Sequence, residues 1–101
     1  MSHFPDLIRR LSEFDGPFDA FRLPAEGCEV LFASYPAGTQ IDVHTHPTRN
    51  VGVITEGELI LTIDGHRTRY GVGDWYSVDA NEEHAAEFKV ATSEIEFWFE
   101  A

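Results

Sequence analysis

Near the end of the chain, Ile95, Phe97 and Phe99 alternate with Glu94, Glu96, Trp98 and Glu100. A period of two puts alternate side chains on opposite faces of a strand, which predicts an apolar face against a core and a polar face toward water. The same period recurs upstream. Leu59, Leu61 and Ile63 alternate up to Asp64-Gly65, a dipeptide suited to the positive backbone angles of a tight hairpin, and residues 66–70 return. Other strand-like runs lie at 28–35, 39–46 and 51–55, at 75–78 (WYSV), and from His84 (HAAEFKV), separated by turn residues every eight to twelve positions. That spacing predicts an all-β sandwich or barrel. Helical spacing occurs once: Leu7, Ile8, Leu11 and Phe14 follow Pro5, predicting a short N-terminal helix over 5–15 that Asp15-Gly16-Pro17 ends. The expected organisation is a helix and lead-in over 1–27 and a single barrel domain over 28–101.

Composition narrows the partners. A chain of 101 residues has room for one core. Its formal charge of −11 opposes contact with phosphate backbones and anionic lipid, so neither nucleic acid nor a membrane is an expected partner. A small molecule or another protein fits better. Eight Phe, three Tyr and two Trp are many rings for so small a core, and they point to a homodimer. Trp98, on the polar side of the last alternation, is the candidate subunit contact, with Ile95, Phe97 and Phe99 as expected core. The single cysteine, Cys28, forms no disulfide within the chain and reads as a small buried apolar residue. No signal-peptide stretch or membrane-length apolar run is present, so the expected compartment is the cytoplasm.

The histidines carry the candidate chemistry. On an extended segment His44 and His46 project side by side, close enough to share one ion. Such a pair alone is equally an incidental feature of a wet face. His84, at the start of a strand, and Asn50, at the start of another, add possible ligands. Three imidazoles meeting inside a barrel suit Zn, Ni, Fe or Cu with positions left open. His3 and His66 read as plain surface residues.

The spacing Gly38-x5-His44-x-His46-x3-Asn50-x6-Gly57 resembles the first motif of the cupin family, and Gly73-x5-Asp79-x-Asn81-x2-His84-x3-Phe88 is similar to its second. The resemblance covers residues 28–100. It implies a double-stranded β-helix, the jelly-roll barrel of cupins, often dimeric, with a divalent transition metal (Zn, Ni, Fe, Cu or Mn) held by His44, His46, His84 and an acidic or amide side chain. Here that last position is Asn50, neutral and shorter than the usual Glu, so it either ligates directly or acts through water. Asp79 and Asn81 replace the usual Pro and Gly; Asn tolerates the left-handed turn. Phe88 replaces a common Asn and either roofs the site or belongs to the core.

Around the site, Gln40 and Asp42 share the parity of His44 and His46 and are expected to line the pocket with Ile54 and Phe88. Asp42 reads as solvated where the strand bends near Pro36-Gly38; the alternative is a carboxylate that orients an imidazole through its second nitrogen. Arg49 reads as a rim residue, and Glu82 and Glu83 as solvated acids. Tyr35 and Tyr76 are the only other conceivable proton donors. The resulting expectation is a metal-binding barrel that takes a small molecule. A metal-dependent dioxygenase or isomerase is the alternative, and a metal-free binding or sensing barrel is a further one.

Overall fold

The computed structural model describes residues 4–100, so His3 lies outside it. A short helix, α1 (Asp6–Arg9), leads into β1 (Ser12–Glu13) and β2 (Asp19–Ala25). The remaining strands are β3 (Cys28–Tyr35), β4 (Thr39–His44), β5 (Arg49–Glu56), β6 (Glu58–Ile63), β7 (His66–Gly71), β8 (Trp75–Val78), β9 (His84–Phe88) and β10 (Thr92–Phe99). They form two antiparallel sheets, one ordered β1-β2-β3-β10-β5-β8 and the other β4-β9-β6-β7. This is the all-β jelly-roll barrel expected, down to the β6–β7 hairpin, where Asp64 and Gly65 take φ of 50° and 77°.

The helix is shorter than the expected 5–15. It buries none of its residues, and Leu7 is 72% exposed. A helical apolar stripe makes a helix only where it meets a core, and this one does not. From Ser12 the chain is extended instead, paired with β2, and Phe14 packs against the core cluster. β2 runs antiparallel to β3 over its full length, so the lead-in supplies a strand of the larger sheet.

The core lies between the sheets. Leu31, Ala33 and Tyr35 of β3 meet Leu59 and Leu61 of β6 and Phe88 of β9, all 5% exposed or less. Cross-strand neighbours share a face, and β10 pairs Glu94 with Ala33 and Glu96 with Leu31. The acids of β10 therefore point into the barrel, where Glu94 is 1% and Glu96 5% exposed. Ile95, Phe97 and Phe99, expected in the core, lie opposite Phe32, Val30 and Cys28 on the outer face. Alternation shows that a strand has two faces. Register against its neighbours decides which one is inside.

Candidate metal centre

His44 ends β4, His46 follows in the next bend, and His84 opens β9 directly opposite His44. The register of β4 against β9 shifts between Ile41 and His44, and that irregularity re-aims the end of the strand. Three imidazoles thus meet: ring centroids are 4.9 Å apart for His44–His46, 4.2 Å for His44–His84 and 4.7 Å for His46–His84. One nitrogen from each ring lies within 4.8 Å of the other two.

The donor set fits a transition metal. His44 Nδ1 lies 2.8 Å from the Asp42 carbonyl oxygen and His84 Nδ1 lies 2.9 Å from that of Glu82. Each Nδ1–H donates to its carbonyl, which leaves Nε2 with a free lone pair. Burial, then the neighbouring charges of His84 and His44, lowers His46 from 6.5 to about 4. Burial also lowers His84, against the hydrogen bond to Glu82. Both rings are neutral at pH 7, the form in which imidazole binds a metal.

Asn50 is buried beside the cluster. Its side-chain amide lies 3.3 Å from His46 Nδ1 and takes a hydrogen bond from Thr48 Oγ1 at 2.7 Å. The indole of Trp98 packs on the other side of His46, with centroids 5.0 Å apart. Trp98, expected at a subunit contact, is therefore a wall of the site. Asn81 adopts φ of 63°, as its residue type allows, and its N–H donates to the His46 carbonyl at 2.7 Å. The loop before His84 is thereby tied to the bend that carries His46.

The histidines open onto a cavity of about 580 Å³. Gln40, Asp42 and Phe88 lie on its wall. Asp42 orients His44 through its backbone carbonyl; its side chain sits on an exposed residue. Ile54, expected on the lumen, is instead packed in the core at 1% exposure, and its cross-strand partner Glu94 reaches the cavity. Phe88 stacks on Tyr35 with centroids 4.1 Å apart, so it serves wall and core together. Arg49 sits at the rim, 3.6 Å from Asp79, and His66 is exposed on β7.

Sequence reasoning missed two parts of this cavity. Phe14 and Phe18, from the lead-in, cover it through contacts with Trp98 and Tyr35 at 6.2 and 5.3 Å. Glu94 and Glu96 line it from β10. The only signal for the acids was their place on a strand rich in apolar residues on its other face, and that pattern reads equally well with the acids outside.

A two-sheet β-barrel with three histidines clustered at its cavity defines a class, and comparison identifies it. The profile of the Cupin domain matches residues 31–96, and the chain belongs to that family. An RmlC-like cupin from Shewanella frigidimarina aligns over 100% of this chain and 93% of its own, at 21% identity and a TM-score of 0.81. A cupin superfamily protein from Desulfitobacterium hafniense aligns over 100% and 94%, at 16% identity and a TM-score of 0.77. A variant of salicylate 1,2-dioxygenase from Pseudoaminobacter salicylatoxidans, solved with gentisate, matches 79% of this chain and 24% of its own, at 17% identity and a TM-score of 0.72. At such identities the likeness establishes the fold and leaves the chemistry to the site. Comparison with curated proteins finds no match.

Proposed function

We propose that this protein binds a divalent transition metal on His44, His46 and His84 and takes a small molecule into the adjoining cavity. One observation carries the reading: imidazoles from two separate stretches of chain converge within 4.8 Å. Carbonyl-oriented Nδ1 groups on His44 and His84 support it. A bound metal would supply Lewis-acid polarisation of a ligand oxygen. The chain's own residues orient the imidazoles, seat the ligand against Tyr35, Phe88 and Trp98, and exclude water. Asn50 steadies His46, and a direct bond from its oxygen to the metal would cost the hydrogen bond from Thr48. The dioxygenase–gentisate complex among the structural neighbours is in keeping with small-molecule binding in such a barrel.

The test is elemental analysis of untagged protein purified without added metal, alongside a His44→Ala/His46→Ala variant. About one equivalent of a transition metal in the first, lost in the second, is the expected result. No metal in either, after each of Zn, Ni, Fe, Cu and Mn has been offered, would overturn the reading.

The same proposal includes a homodimer. Trp75 and Phe99 are 57% and 41% exposed on the outer face of the larger sheet, joined through Phe97 by ring contacts at 6.1 and 6.5 Å. A second copy laid on this face would cover that row. The lone free thiol of Cys28 suits a reducing cytoplasm. Among the described residues, no helix is long and apolar enough to cross a membrane.

A further inference from the structure

Away from the histidines, the cavity wall carries a second set of reactive groups. Tyr35 Oη donates to Glu96 Oε2 at 2.5 Å, Trp98 Nε1 donates to Glu96 Oε1 at 2.9 Å, and Tyr76 Oη donates to Glu94 Oε1. Two residues apart on β10, Glu94 and Glu96 share the inner face of the strand. Among the described residues, no lysine or arginine lines the cavity, and the arginine ion pairs lie elsewhere, to Asp6, Glu29, Asp79, Glu87 and Glu58. Two buried acids without a cation keep a proton, because two adjacent buried charges are too costly.

The environment separates their roles. Burial, then the charge of Glu96, pushes Glu94 well above the usual carboxyl range. Burial raises Glu96 as well, but the donors Tyr35 and Trp98 pull it back. Glu96 accepts two hydrogen bonds, from Tyr35 and Trp98, and Glu94 one, from Tyr76, so the ionised form falls to Glu96 and the proton to Glu94. The strands are shaped to keep this arrangement. Gly52 of β5 lies between Glu96 and Tyr76 in register, and a Cβ there would stand 2.4 Å from the Tyr76 ring. The missing side chain lets Tyr76 lie across β5 and reach Glu94.

We propose that the Glu94–Glu96 pair is the proton-transfer group of this cavity and isomerises a small uncharged α-hydroxycarbonyl compound. This rests on the reading of the histidine end as the place where the carbonyl oxygen is anchored. The Glu96 carboxylate removes a proton from the carbon bearing the hydroxyl. The C–H electron pair moves into a carbon–carbon double bond, and the carbonyl oxygen takes the charge. Glu94 gives its proton to the former carbonyl carbon, the hydroxyl proton passes to the charged oxygen, and the new carbonyl forms at the other carbon. The pair ends with the one proton it began with, so no oxidant or reductant is needed. One acid and one base held together match a reaction that removes and returns a proton. Aromatic walls and the absence of lysine and arginine from the lining favour an uncharged ligand.

The test uses hydroxyacetone in D2O, followed by proton NMR, with metal content measured on the same samples. The expected result is exchange of its C–H protons by the wild-type protein, reduced about 10²-fold in Glu94→Gln and Glu96→Gln at unchanged metal content. Tyr76→Phe guards against a merely structural effect. Loss of its hydrogen bond raises Glu94 further, so the pH profile of exchange moves to higher pH while folding is kept. The titratable groups facing the pair are Tyr35 of β3 and Tyr76 of β8; β5 offers Gly52 and Ile54, and β6 and β9 offer Leu59, Leu61 and Phe88. Unchanged exchange in both Gln variants, or no exchange by metal-loaded wild type, overturns the proposal. Exchange by protein that holds no metal supports the pair and counts against the metal reading alone; neither metal nor exchange overturns both.

Discussion

The two faces of β10 are built from opposite materials, and each lies where composition alone would not put it. The inner face carries Glu94, Glu96 and Trp98: Glu96 accepts from Tyr35 and Trp98, and Glu94 accepts from Tyr76. The outer face carries Ile95, Phe97 and Phe99 beside Trp75, with large apolar area left to solvent. Burying acids costs free energy unless donors meet them, and exposing aromatics costs free energy unless something covers them. The inner face meets its cost with Tyr35, Tyr76 and a retained proton. On the proposed dimer, a second copy of the chain would meet the cost of the outer face.

The largest expected effect is on the outer face. A Trp75→Glu/Phe99→Glu variant should keep its fold and run in sedimentation as a single chain of 11.4 kDa, whereas the wild type runs as two. Aromatic anchors at interfaces are worth about 2–4 kcal/mol each, so the dimer constant should weaken by roughly 10³-fold or more. A wild-type mass of one chain would show the face bare, and the comparison would lose one side.

On the inner face the sharper probe is Gly52→Ala. The new Cβ displaces the Tyr76 ring and strips Glu94 of its donor. Leaving a buried polar group without its partner costs about 2 kcal/mol, visible as a lower midpoint in urea. A change within about 0.5 kcal/mol would mean that Tyr76 does not hold Glu94.

The same strand marks how far the sequence can be read. Eight strands from Cys28 onward followed from alternation and turn residues, because period two and Asp64-Gly65 are local signals. The histidine cluster was legible for a similar reason. His44 and His46 are neighbours in sequence, and a second motif in fixed order brings His84 to them. Glu94 and Glu96 were not legible, since the sign of a face depends on pairing with Leu31 and Ala33, some sixty residues away in the chain. The N-terminal helix failed for the converse reason: Leu7 and Leu11 had the right spacing but no core to meet. Asp42 shows a subtler limit: its side chain is exposed, as a bent strand leads one to expect, and the contact that orients His44 comes from its backbone carbonyl, which no side-chain pattern announces.

The smallest effect, and the one that separates the inner face from both the outer face and the histidines, is the pH dependence of stability. Glu94 and Glu96 titrate as a pair whose folded-state value is raised by burial. Their contribution is fully present below the unfolded carboxyl value of 4.5 and is lost as pH rises through the raised one, because the folded state must then carry a second buried charge. His46 has the opposite sign. Its folded value of about 4 lies below the unfolded 6.5, so its contribution is present above 6.5 and is lost as pH falls toward 4. Partial exposure of the ring limits that loss to about 1 kcal/mol. The aromatic row on the outer face carries no ionisable group and adds no slope. Urea midpoints measured from pH 4 to pH 9 should therefore form a dome, whose alkaline limb flattens in Glu94→Gln and whose acid limb flattens in His46→Ala. If Glu94→Gln flattened the acid limb instead, the proton assigned to the pair would be misplaced, and the buried acids would need a cation to account for them.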